Sequence, residues 1–483
     1  MKKYIIIAAS ILVASCSSNL EDLNKNIKDP ASVAGESLFT GAQKNLIDEI
    51  LDINVNENNT QLWSQFLQET TYTDESNYDQ VTRTIPENFW SALYRDSLKD
   101  LDEAGQVISE TTYVDPEGDY TNNKLQIIEI MKVYAYANLV ETFGDIPYTE
   151  SLNIDILEPE YDDAMTVYKD LISRLTAAIS ALDTNTESFV HGEDNLYGGD
   201  VAAWKKFANS LKLRMGLVMA DADNAFAQTT VESAIASGIL TSSADNANLS
   251  YRSSAPNTHP VHTNVVLSGR NDFIAGKTIV DLMNSLDDPR RPLLFETVDG
   301  DYVGGEIGTP STYSLHSKLT AQVIAANAPG VIMSYSEVQF LLAEAAARNY
   351  TTGDTAANHY AAGIMASIVD DWGGSATDAA TYMAQASVDY ATALAASTAT
   401  TPWKEVIGTQ RYISLFKRGM EAWLSIRLMD YPAMAVPTEA VSGFPNRYTY
   451  PIVEQTINAA NYAAASSAIG EDTAEQKLFF DKF

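Results

Sequence analysis

Apolar side chains recur at three- and four-residue spacing through much of the chain, the period at which one face of a helix is buried. Leu125, Ile128, Met131, Ala135 and Leu139 make one such stripe, which stops at Gly144 and Pro147. Met165, Tyr168, Leu171, Ile172, Leu175 and Ile179 predict a helix over 162–183. Trp204, Phe207, Ala208, Leu211, Met215 and Val218 predict another over 201–220. Similar spacing predicts helices over 334–349, 355–372 and 409–429. Small residues sit a turn or so apart in two of these (Ala343, Ala346, Ala347; Ala361, Ala362, Ala366), which lets helix axes approach closely. Stacked helix pairs of this kind build tetratricopeptide-like scaffolds, although no regular 34-residue period is present. The fold class expected is therefore all-α in the main, a tetratricopeptide-like helix-pair scaffold with a few short strands.

Between the helical blocks the pattern changes. Residues 241–333 are rich in Ser, Asn, Gly and Pro, with β-like segments at Val265-Val266-Leu267 and Val331-Ile332-Met333. Residues 52–90 are polar and aromatic. Irregular stretches of this length usually carry function. One helical unit over 31–483 with a long loop-rich, ligand-binding face is expected, not two separable domains.

The start of the chain follows a different rule. Lys2 and Lys3 precede an apolar run from Tyr4 to Ala14, and the only cysteine, Cys16, follows at once. A basic start, a short apolar core and small residues describe a secretory signal over 1–15, too short for the ~20 residues a membrane span needs. Val13-Ala14-Ser15-Cys16 resembles a bacterial lipobox, which makes Cys16 the lipidation site and residues 16–30 a lipidated flexible tether. Ser17-Ser18-Asn19-Leu20-Glu21-Asp22 resembles the surface-export signal of Bacteroidetes lipoproteins; an ordinary solvated tether is the alternative. With Cys16 lipidated, no thiol remains for a disulfide or a cysteine zinc cluster.

A formal net charge of −33 argues against nucleic acid, whose binding rests on phosphate contacts. Neutral ligands are indifferent to that field. No nucleophile elbow, HExxH, EF-hand spacing or Gly-rich phosphate loop is present, so neither catalysis, a metal nor a cofactor is expected. Paired carboxylates of the glycosidase type are the enzymatic alternative, but nothing singles out one pair among 64 acidic residues. Asp370-Asp371-Trp372-Gly373-Gly374 reads as a helix end with a glycine stop.

Four segments carry a resemblance. They are Asp22-Leu23-Asn24-Lys25 through Asp29-Pro30-Ala31 with Leu38-Phe39-Thr40-Gly41-Ala42; Glu141-Thr142-Phe143-Gly144-Asp145-Ile146-Pro147-Tyr148; Leu415-Phe416-Lys417-Arg418-Gly419-Met420-Glu421-Ala422-Trp423 with Arg427 and Tyr431-Pro432; and Arg447-Tyr448-Thr449-Tyr450-Pro451 with Glu454 and Asn458-Ala459-Ala460-Asn461-Tyr462. Together they resemble the SusD/RagB superfamily of Bacteroidetes outer-membrane lipoproteins, in the branch called starch-binding associating with outer membrane. The resemblance implies a surface lipoprotein that captures nutrients, usually oligosaccharide, as the lid of a SusC-like TonB-dependent transporter. RagB-type relatives imply peptide as the alternative cargo.

The motif residues themselves read as structural: Gly144 and Pro147 end a helix, Trp423 lies in the core, and Arg418 and Glu421 pair along one long helix. Ligand contacts are expected in the loops, where exposed rings can stack on sugar C–H faces and polar side chains can bind the hydroxyl rim. The candidates are Trp63, Tyr72, Asn77, Tyr78 and Arg83, then Tyr251, Arg270 and Asn271, then Tyr302. A helix over 61–68 would instead put the Trp63 ring in the core.

Overall fold

The computed structural model describes residues 33–113 and 120–482; the signal, Cys16 and the whole tether assigned above lie outside them. The principal helices are α1 (Gly35–Leu51), α2 (Ile85–Leu93), α3 (Lys99–Glu110), α4 (Tyr120–Phe143), α5 (Ala164–Ala181), α6 (Val201–Val218), α7 (Asn224–Ser237), α8 (Tyr335–Ala347), α9 (Ala356–Ala366), α10 (Pro402–Ser414) and α11 (Gly419–Met429). They pack in pairs: α1 with α3, α4 with α5, α6 with α7, α8 with α9 and α10 with α11. No helix among the described residues is long and apolar enough to cross a membrane.

Helix starts follow the local chemistry. Asp163, Asp200 and Asp223 accept backbone N–H groups at the first turns of α5, α6 and α7, at 2.8, 2.9 and 3.2 Å. Each satisfies a donor that has no partner inside the helix, worth about 1 kcal/mol. Small residues govern the approach of α9 to α8. A Cβ added at Gly363 would lie 2.9 Å from the buried Phe340 ring.

After α4 the chain turns at Gly144, whose φ of +87° suits glycine. Asp145 then accepts the Ala164 N–H at 2.8 Å, so one carboxylate joins the turn to the start of α5. Strand β2 (Ile146–Pro147) follows and pairs antiparallel with β3 (Tyr161–Asp162). Two further antiparallel pairs lie in the loop-rich regions. In one, β1 (Leu67–Glu69) meets β5 (Phe273–Ala275), Gln68 opposite Ile274. In the other, β4 (Ala247–Leu249) meets β6 (Gly330–Met333).

Two expectations are corrected. The span 409–429 is not one helix: α10 ends before Leu415, Lys417 takes a φ of +73°, and α11 begins after Arg418. Arg418 and Glu421 consequently do not pair with each other. Arg418 reaches Glu337 of α8 at 2.7 Å, and Glu421 holds Arg214 of α6 at 2.7 Å. Val265-Val266-Leu267 lies in a helical turn, not a strand. His259 caps that turn and Pro260 opens it, so the backbone is already helical when the valines arrive.

The core runs through the helix pairs in one cluster of buried side chains from Phe39 to Phe480. Trp63, Trp204 and Trp423 are fully enclosed in it. A smaller cluster around Phe340, Tyr360, Ile364 and Tyr382 fills the space between α8, α9 and α10.

Candidate functional site

Three loops distant in sequence meet at the edge of the β1–β5 pair. The Thr70 N–H donates to the Asp272 carbonyl at 2.8 Å, and its hydroxyl donates to the Asn271 carbonyl at 2.7 Å. From the third loop, the Ser311 N–H donates to the Thr70 carbonyl at 2.9 Å. Behind this edge, the Asn77 amide donates to the Gly308 carbonyl at 2.8 Å, while Val441 N–H donates to the Asn77 carbonyl at 2.9 Å. Thr70, Asn271, Asp272 and Ser311 are thereby held side by side by hydrogen bonds to main-chain groups, with Tyr72 two residues beyond Thr70 and Arg270 next to Asn271.

Of the nine sequence candidates, Tyr72, Arg270 and Asn271 project from this edge. Tyr72 is 70 % exposed, at a φ of +55° that costs a tyrosine energy and so depends on its surroundings to persist. Arg270 is exposed and paired with Asp272 at 2.6 Å. Asn271 commits its carbonyl to Thr70 and leaves its side chain in solvent. A ring, a guanidinium and an amide on one rigid edge match the stacking and rim-binding demands of a sugar.

The other six serve the fold. Trp63 belongs to the short helix Thr60–Trp63, and its ring packs edge-on to Trp423 and Tyr448, with centroids 5.4 and 5.0 Å away. Tyr78 is 1 % exposed; its hydroxyl accepts the Gln65 amide at 3.1 Å and its ring meets Phe444. Neither ring has a face free for a ligand. Asn77 is buried as the loop fastener described above. Arg83 is ion-paired to Glu75. Tyr251 is buried, donates to Asp48, and lies against His259. Tyr302 is half-buried, with the Arg291 guanidinium 5.6 Å from its ring centroid.

Arg83 completes a buried acidic pair beneath the edge. Burial, then the charge of Glu75, raises the Glu69 carboxyl well above its ordinary value, so Glu69 stays protonated at neutral pH. Its other oxygen accepts the N–H and hydroxyl of Ser76, at 2.9 and 2.8 Å. Glu69 held by Ser76 and Glu75 held by Arg83 fasten the 69–83 loop from within.

Sequence reasoning missed a cavity of about 320 Å³ at the break between α10 and α11, beside the β4–β6 pair. Asn248, Gln322, Pro329, Trp372, Phe416 and Lys417 line it. The available signals were a tryptophan immediately after two aspartates at a helix end, and the Lys417-Arg418 pair set between Leu415-Phe416 and Gly419-Met420. Among the described residues, no group of His, Cys, Asp and Glu is arranged to hold a metal ion.

The sequence matches the model of a family named SusD-like and described as starch-binding associating with outer membrane, over residues 26–451. No curated protein matches it. Among solved structures, one described as a chitin-binding protein shares 22 % identity at a TM-score of 0.79, covering 93 % of this chain and 100 % of its own. A chitin-binding SusD homolog from Flavobacterium johnsoniae shares 22 % identity at 0.77, covering 92 % and 98 %. A SusD homolog from Bacteroides uniformis shares 25 % identity at 0.78, covering 92 % and 99 %.

Proposed function

This chain belongs to the SusD-like family, starch-binding and associating with the outer membrane, and from that premise we propose that it captures a neutral oligosaccharide on the Tyr72–Arg270–Asn271 edge and passes it to a SusC-like TonB-dependent transporter. Proteins of this family bind rather than catalyse, at the outer-membrane surface beside a SusC-type partner. Cys16 is the proposed anchor, with residues 16–30 as the tether; the mass of the mature N-terminal peptide tests the acylation.

The observation that carries the sugar reading is the Tyr72 ring. An aromatic face left in water on a hydrogen-bonded frame has little freedom left to lose, so stacking on a flat sugar C–H face is not offset by ordering the loop. Peptide ligands want backbone-binding clefts, and the relatives described as chitin-binding favour glycan. Calorimetry against chito- and malto-oligosaccharides and peptides tests this. A glycan should release heat, and Tyr72→Ala should weaken it at least tenfold, about 1.4 kcal/mol. Heat with peptides alone, or equal affinity in Tyr72→Ala, would sink the reading.

A further inference from the structure

The structure assigns a second ligand site to the cavity at the α10–α11 break: we propose that it takes an acidic sugar unit, its carboxylate on the Lys417 ammonium and its hydroxyls on the Trp372 N–H and the Asn248 oxygen. The sugar half of this assignment rests on the glycan reading above; the carboxylate half rests on the cavity itself.

At about 320 Å³ the cavity sits at the low end of the ~300–1,000 Å³ span of small-molecule sites, with room for a mono- or disaccharide. Its polar groups are arranged for a guest. Trp372 is 8 % exposed, and its indole N–H has no partner among the described residues. The Asn248 carbonyl oxygen is likewise enclosed and unpartnered, a place for a sugar hydroxyl to donate. Leaving such groups unpaired costs free energy, which a fitting ligand recovers.

Lys417 is the charge. Its backbone is held in the left-handed region at φ +73°, and its carbonyl accepts the Gln61 amide at 2.6 Å, so its position is set by the chain break. No carboxylate of the described residues lies within 4.0 Å of its ammonium, and burial alone pulls it down to about 8, which leaves it mostly charged at pH 7. Of the neighbouring charges that line the cavity, Arg418 and Asp371 have partners among the described residues and Asp370 does not. Arg418 binds Glu337 at 2.7 Å and the Ile332 carbonyl at 2.8 Å. Asp371 accepts the Ser336 hydroxyl, and Asp370 is exposed at the cavity. His259, near Lys417, is kept neutral by burial and then by the Lys417 charge. A half-buried cation with no carboxylate of the described residues within 4.0 Å, beside the unpartnered Trp372 N–H and Asn248 oxygen, suits an anionic sugar. Exposed charges more than ~8 Å away are largely screened at physiological salt, so the carboxylates a uronide meets at the cavity are Asp370 and Asp371.

Calorimetry of the mature chain with glucuronate and galacturonate disaccharides, their neutral counterparts and an acidic dipeptide tests the assignment. Expected are uronide binding with quenching of tryptophan fluorescence, and a loss of at least tenfold in Lys417→Met. Neutral oligosaccharide binding at Tyr72 should be untouched by that substitution. Trp372→Phe, which keeps a ring but removes the N–H, should lose severalfold. Equal uronide affinity in Lys417→Met overturns the site, as does neutral binding with no uronide binding, or preference for the dipeptide. Silence with every glycan defeats the loop-edge reading along with it. If Lys417→Met does not fold, carbon-13 NMR of methylated lysines in the wild type decides. Uronide should raise the Lys417 titration midpoint; an unchanged midpoint overturns the proposal.

Discussion

Tyr72 and Tyr78 are six residues apart in one polar loop, yet one is 70 % exposed and the other 1 %. Residue type and local spacing are the same for both. The difference arises from Phe444 and Gln65, which cover Tyr78 and come from elsewhere in the chain. Glu69 shows the same dependence. Its carboxyl is raised by burial and by Glu75 only after the loop has closed. Below its unfolded value near 4.5 both states hold the proton, and the stabilisation is complete. As pH rises toward the elevated folded value, the unfolded state releases the proton first and stability is lost. Glu69→Gln keeps the shape and can still donate to Glu75. It should therefore be more stable than the wild type at pH 8, with the advantage shrinking by pH 5. Urea unfolding at the two pH values checks this; a pH-independent difference would contradict it.

Helices with long, strongly periodic stripes were legible: the span expected over 162–183 is α5, and that over 201–220 is α6. Their capping aspartates, Asp163 and Asp200, stand in the sequence where the stripes begin. The break between α10 and α11 was not legible, because the stripe continues across it. What breaks the helix is the demand that Arg418 reach Glu337 on α8 while Glu421 reaches Arg214 on α6. Close helix approach was readable as a cluster of small residues, though the contact itself is Gly363 against Phe340. Gly363→Ala should gain about 1 kcal/mol of helix propensity. Against an immobile buried ring it should lose roughly 1–3 kcal/mol to overpacking. A net loss near 1 kcal/mol in chemical denaturation is expected; a stabilised protein would show that the α8–α9 interface yields.

At the scale of the molecule, buried charges tie the helix pairs together. Arg214 on α6 is 1 % exposed in its side chain and lies 3.3 Å from Glu141 of α4 and 2.7 Å from Glu421 of α11. Arg427 of α11 donates to the Glu141 carbonyl at 2.6 Å, and Arg447 donates to the Phe143 carbonyl at 3.0 Å. Apart from Arg214, these are residues of the segments on which the family resemblance stands. They hold the last third of the chain against α4. Removing one partner strands a charge without water, at a cost of roughly 3–5 kcal/mol. Glu421→Ala should approach the lower figure, since Glu141 still faces Arg214. A loss below 1 kcal/mol in equilibrium unfolding would contradict this role.

Helical class, paired packing and family were determined by the sequence alone, because apolar period, capping residues and motif order are local and survive without knowledge of neighbours. Which loop rings face water, that Arg83 serves Glu75, and that Lys417 lines a cavity with Trp372 were decided only by tertiary structure. Exposure and desolvation belong to pairs of segments far apart in the chain, and no window of sequence contains both partners.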